Sequence, residues 1–204
     1  MKIGIDVGAG NGGTLYKFKD CEIIYAFEAF PDGYTELINK KNPKVKPLNV
    51  GISSIPGIKE FNAYHIGNPP AHGCGSFLEI DKSGEFTKIL EKKFNMEFKS
   101  KTYNIECIRL DSFIKEHNIT SIEYLKIDTQ GSDYDVIISL GEEITKVKKI
   151  EVEIILKDFY INQGSRADIV SYLENNNFKL IQEDWNEGAE NYETNAIFIN
   201  KKYG

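Results

Sequence analysis

The chain holds 204 residues, which at roughly 100–200 residues per domain leads us to expect one domain spanning 1–204. Hydrophobic residues make up 41% and charged residues 27%, with 12 Phe and 11 Tyr, which excludes a disordered chain. Twenty-five basic against 31 acidic residues leave a net charge of −6 without a basic block, which argues against nucleic acid as a partner. No apolar run reaches the ~18 residues of a membrane helix, so no membrane span is expected. The N-terminus meets Asp6 too early for a secretory h-region. Cys21, Cys74 and Cys107 form no CxxC pattern, and three cysteines cannot all pair. A reduced, cytoplasmic protein without a metal site is the expectation.

In chain order, residues 2–7 are a short apolar run ending at Asp6, followed by a glycine loop and a short helix over 14–19. Residues 22–27 read as a second buried strand, 32–41 as a helix with Tyr34, Leu37 and Ile38 on one side, and 45–50 as a third strand. Strand alternating with helix implies parallel βαβ crossovers and an open sheet with helices on both faces. Residues 51–77 carry five Gly and three Pro, which fits a hairpin and a mobile loop. A helix over 85–94 and a strand over 103–110 complete an insertion spanning 51–110. Order returns with a strand at 123–128, a helix over 133–140 that Ser132 is placed to cap, and a strand at 149–156. Ser165-x-x-Asp168 resembles a capping box opening a helix to Asn175. Strands at 178–182 and 196–200 close the chain as an antiparallel pair. The fold class is α/β: a Rossmann-like sheet of about seven strands, mostly parallel with an antiparallel tail strand, plus the insertion after strand three.

Gly8, Gly10 and Gly13 satisfy GxGxxG between a strand and a helix, with Glu28 about twenty residues on. That fingerprint alone serves NAD equally well, and a tight turn needing φ > 0 would also use it. Asp6 separates the ligands. It gives Asp-x-Gly-x-Gly-x-Gly (Asp6, Gly8, Gly10, Gly12), and a carboxylate there repels a pyrophosphate but attracts an ammonium group. S-adenosylmethionine (SAM) has no phosphate and carries an α-ammonium and a sulfonium. Glu28 at the second strand's end suits two ribose hydroxyls, Asn49 after strand three an adenine edge, and Asp128 the switch point after strand four.

With Asp6-Val7-Gly8-Ala9-Gly10-Asn11-Gly12, Phe27-Glu28, Asn49-Val50-Gly51-Ile52-Ser53 and Leu125-Lys126-Ile127-Asp128-Thr129-Gln130-Gly131 in view, the chain resembles the FkbM-type methyltransferase family. Arg109-Leu110-Asp111-Ser112-Phe113 and Ile150-Glu151-Val152-Glu153 extend the match over roughly 3–182. The resemblance implies a class I SAM-dependent fold. It implies O-methylation of a sugar, glycolipid or secondary metabolite, with S-adenosyl-L-homocysteine (SAH) as product. It also implies that Ala9, Asn11, Ala29, Val50, Gly51, Ser53 and Ser76 join Asp6, Gly8, Gly10, Glu28, Asn49 and Asp128 around the cofactor. Gln130 stands where the family more often has Glu. The chain also starts at strand one, without the helix that many relatives place over the cofactor. Substrate capture would then fall to the insertion or to another subunit of a homo-oligomer.

A sugar hydroxyl is a poor nucleophile near neutral pH, so a base is expected. Asp128 is the first candidate, with cofactor anchoring as its rival role. Glu153 on strand five and His65 beside the Gly/Pro-rich loop are the others, and His72 flanks the same loop. The segment 62–77 is expected to wall the acceptor pocket. Asp111 is placed to cap the helix after Leu110. His117, at that helix's end, suits its dipole and is assigned no function. Two alternatives stay open: an NAD-dependent oxidoreductase on the same glycine turn, and a catalytically idle SAM-binding scaffold.

Overall fold

The computed structural model of the protein describes residues 1–65, 75–94, 99–185 and 192–203. It opens with β1 (Ile3–Val7), a 3-10 turn (Leu15–Phe18), β2 (Ile23–Phe27), α1 (Pro31–Asn39) and β3 (Val45–Leu48). The inserted part follows: β4 (Gly51–Ile52), β5 (Gly57–His65), α2 (Glu85–Phe94) and β6 (Lys99–Ile108). Then come α3 (Leu110–Glu116), β7 (Tyr124–Ile127), α4 (Asp133–Ile138), a second 3-10 turn (Gly141–Lys146) and β8 (Lys149–Ile155). The chain closes with α5 (Arg166–Asn175), β9 (Phe178–Trp185) and β10 (Glu193–Asn200).

Seven strands form one sheet in the order β3-β2-β1-β7-β8-β10-β9. All run parallel except β10, which pairs antiparallel with both β8 and β9. The expected mixed sheet is therefore present. Chain order reverses between β1 and β7, which opens a crevice at the C-terminal ends of those two strands.

The two sheet faces differ in chemistry. On one, Ile5, Leu125, Ile127, Ile150 and Val152 pack with Ile114 of α3, Val136 and Ile137 of α4, and Leu173 of α5. On the other, a smaller cluster of Phe18, Cys21, Ile24, Ala26, Leu37 and Tyr124 covers the β1–β2 half. The centre of that second face is ionic, because the register sets Asp6 beside Lys126 and Lys126 beside Glu151.

The insertion differs from expectation. Among the described residues of 51–77 the antiparallel pairing is a single bridge, Asn62↔Ser76; β5 pairs instead with β6, on the far side of α2, from Gly57↔Cys107 to His65↔Lys99, and β4 runs parallel on the other edge. The reason is the buried face. Phe61 and Ala63 of β5 need apolar partners, and the alternation Tyr103, Ile105 supplies them, packed with Phe30 and Phe77.

Two caps also differ. Asp111 takes Arg109 Nε (3.0 Å) and Nη2 (2.7 Å) instead of capping α3, whose Leu110 N–H donates to Ser139 Oγ (3.3 Å). Ser132 stands at the head of α4, where its carbonyl accepts from Val136 N–H (3.1 Å) but its hydroxyl makes no cap bond. Asp133 accepts from the N–H groups of Thr129 (2.8 Å) and Gly131 (3.0 Å) there. The Ser165–Asp168 capping box on α5 is present. His117 is the C-cap of α3 and stacks on Phe113.

Candidate active site

The crevice holds a cavity of about 540 Å³ floored by the loop after β1. Gly8 (φ 78°) and Ala9 both donate to the Phe27 carbonyl at 3.0 Å, which curls the loop over the end of β2. A Cβ on Gly8 would stand 1.8 Å from the Asp128 carbonyl oxygen, so only glycine lets this loop approach the end of β7. Gly10 (φ 54°) is different: a Cβ there would meet nothing within 4 Å.

Glu28 ties the loop to the start of α1. Its Oε2 accepts from Gly10 N–H (2.5 Å) and its Oε1 from Phe30 N–H (2.8 Å). Burial pushes this carboxyl up to about 7, against the pull of those two N–H groups, and the charges of Asp6 and Asp128 add to the rise. Asp6 lies beneath the loop, wholly buried, with Oδ2 accepting from Thr14 Oγ1 (3.2 Å) and Oδ1 without a partner. Burial lifts it to about 6, opposed by the Lys126 charge.

At the end of β7, Asp128 Oδ2 accepts from the buried Lys126 Nζ at 2.8 Å. Gln130 sits in the left-handed region (φ 53°) and uses both ends of its carboxamide. It donates to Glu153 Oε2 (2.6 Å) and accepts from the Tyr160 hydroxyl (3.2 Å). Burial, and the nearby Asp128, Asp133 and Glu193, hold Glu153 well above the usual carboxylate range. Glu151 is buried too, bonded to Lys17 and to the Tyr124 hydroxyl.

The structure brings Gly8, Ala9, Gly10 and Asn11 together with Glu28 and Ala29 around the cavity, and Val50, Gly51 and Asp128 complete that wall. Five other sequence-predicted residues stand off it. Asp6 lies under the loop. Asn49 turns its amide to the carbonyls of Glu28 (2.8 Å) and Ala29 (3.2 Å), bracing the bend rather than offering an adenine partner. Ser53 donates to Asp135 (2.7 Å) and accepts from Lys59 (2.5 Å), away from the cavity. Ser76 is a strut from the insertion to the Gln130 carbonyl (2.7 Å). Glu153 lies beside Gln130, which lines the cavity where Glu153 does not.

His65 is the last residue of β5, and His72 with most of the expected acceptor loop (66–74) lies outside the described residues. Sequence reasoning gave no role to Lys126 or to Phe30 and Phe61, which share the aromatic wall with Phe77. The available signal for Lys126 was a charge inside the buried run Tyr124–Ile127, two residues before Asp128.

Glu28, Glu36 and Asp128 give the cavity three carboxyls, and no Lys or Arg lines it among the described residues. A cationic ligand fits such a wall and a pyrophosphate does not.

Residues 6–180 match the family model described as the methyltransferase FkbM domain. The chain belongs to the FkbM methyltransferase family. Membership sets aside the oxidoreductase reading. The 2-O-methyltransferase NoeI of Sinorhizobium fredii is 25% identical over 186 residues, covering 87% of this chain and 72% of that protein. Among solved structures, magnesium protoporphyrin IX methyltransferase of Synechocystis with bound SAM superposes with a TM-score of 0.53 at 10% identity. That comparison covers 98% of this chain and 70% of the other. TrmK of M. capricolum with bound SAH gives 0.51 at 12% identity, over 98% and 62%. This FkbM chain thus has the sheet of class I methyltransferases, with the insertion between β3 and α3 set beside the glycine loop.

Proposed function

We propose that the chain is an O-methyltransferase that takes the methyl group of SAM and places it on a hydroxyl of a sugar, glycolipid or secondary metabolite, releasing SAH. The observation that carries this is the acidic cavity on the glycine loop, with no Lys or Arg among the described residues that line it. When bound there, SAM supplies an already activated methyl electrophile that needs only an in-line nucleophile. The residues present fit it. Glu28 is placed to accept from ribose hydroxyls, and Asp128 to face a positive charge. The open space at Gly10 leaves room for close backbone approach. Positioning then supplies much of the acceleration.

NoeI, a 2-O-methyltransferase by its description, supports oxygen as the accepting atom. The rings of Phe61 and Phe77, 5.2 Å apart on the cavity wall, offer an apolar surface for a sugar or polyketide face. No described helix is long and apolar enough to cross a membrane, in keeping with an acceptor reached from water.

Calorimetry with SAM, SAH and NAD tests the cofactor, followed by transfer of a tritiated methyl group to a panel of glycosides and polyketide alcohols. We expect micromolar binding of SAM and SAH, none of NAD, and label in an ether bond. Binding of SAH without transfer to any alcohol would favour the idle scaffold. Binding of NAD alone would overturn the assignment.

A further inference from the structure

β7 is an apolar strand interrupted once, by Lys126, and this is the one buried lysine among the described residues. Taking an ammonium out of water costs several kcal/mol unless a counter-charge meets it. Four carboxyls surround it: Asp6 on β1, Asp128 after β7, and Glu151 and Glu153 on β8. Three are otherwise engaged. Glu151 holds Lys17 and the Tyr124 hydroxyl, Glu153 holds the Gln130 amide, and Asp6 holds Thr14. Asp128 accepts a hydrogen bond from Nζ, at 2.8 Å, and of the four it is the one that lines the cavity.

We propose that Lys126 is a positioning residue that fixes Asp128 as an anion on the cavity wall, where Asp128 anchors the ammonium end of the methyl donor instead of taking the acceptor's proton. This rests on the SAM reading of the cavity. A carboxylate whose oxygen is committed to a buried ammonium is a strong fixed charge but a weak proton acceptor. Its other oxygen, Oδ1, faces the Gln130 amide at 3.5 Å. The charge on Lys126 is secure. Burial works against its proton, yet Asp128 and Asp6 outweigh this and lift it above an ordinary lysine.

The titratable groups around Asp128 are Lys126 on its own strand, Asp6 on β1, Glu28 after β2, Asp133 at the head of α4 and Glu153 on β8. Lys126 is the sole cation of that set. Without it Asp128 faces only carboxyls, and nothing offsets their repulsion of its charge.

The test is calorimetric titration with SAH, which keeps the ammonium but not the sulfonium, between pH 6 and 8.5. Lys126→Met should bind SAH at least ~10-fold more weakly at pH 6, recovering as pH rises, while Lys126→Arg stays near the parent. Asp128→Asn should lose affinity at every pH, and the double variant should lose no more than Asp128→Asn alone. Parental affinity in Lys126→Met, or additive losses in the double variant, would overturn the proposal. Should Lys126→Met fail to fold, the desamino analogue of SAH decides. Parent and Asp128→Asn should bind it equally, and an undiminished Asp128→Asn defect there would sink the idea. Failure of the parent to bind SAH would instead refute the cofactor reading itself.

Discussion

Glu28 was legible from spacing alone, as the acid about twenty residues beyond the glycine turn, and its environment gives it a pH signature. Its folded value, about 7, lies above the usual 4.5. The unliganded fold therefore gains from Glu28 below about 4.5 and loses that gain as pH rises through 7. A ligand that needs the carboxylate shows the reverse dependence. Affinity for SAH should climb up to ~10-fold between pH 6 and 8, and Glu28→Ala should remove that slope while weakening binding by about 1.5–3 kcal/mol. A flat profile in the parent would contradict the burial-driven rise.

The glycines make a paired test. Gly8→Ala forces a Cβ onto the Asp128 carbonyl, and should cost about 3 kcal/mol or more in denaturant unfolding. Gly10→Ala meets open space, so about 1 kcal/mol of backbone strain is expected, with the larger loss in SAH affinity. Asn49, Ser53 and Ser76 were harder to read. A small polar side chain takes whichever partner the tertiary fold brings, and those partners (the Glu28 and Ala29 carbonyls, Asp135, the Gln130 carbonyl) are mostly remote in sequence.

At the scale of elements, the β–α alternation and the closing strands could be read because each carries its own period. The β5–β6 pairing could not, since it joins residues across α2 and is set by which faces need burial. The inserted sheet is pinned to the main body by Asp135 of α4, which accepts from the hydroxyls of Ser53 and Ser54. Asp135→Ala should cost about 2–3 kcal/mol and speed hydrogen exchange across β4–β6 while β1 and β7 stay protected. Equal acceleration in both sheets would mean that the insertion does not open separately. Lys126 belongs to this scale as well. Its meaning comes from a register that sets β1, β7 and β8 side by side, and the run around it does not tell which charges it meets.

For the whole molecule, the strand order has a consequence in time. β9 reaches the sheet only through β10, which is synthesised after it and slots between β9 and β8. Until residues 193–200 emerge, β8 presents an open edge, and the strand that carries Glu151 and Glu153 lacks one neighbour. The ionic face is thus completed by the strand made last, and a chain stalled earlier displays an unpaired, apolar edge to its neighbours. A chain ended at residue 192 should elute as aggregate in size-exclusion chromatography, and adding a synthetic 193–204 peptide during refolding should recover the parent's elution position and SAH binding together. Protein quality control would then meet this enzyme as a nearly finished sheet lacking one inner strand, and the time spent in that state sets its exposure to proteases and chaperones.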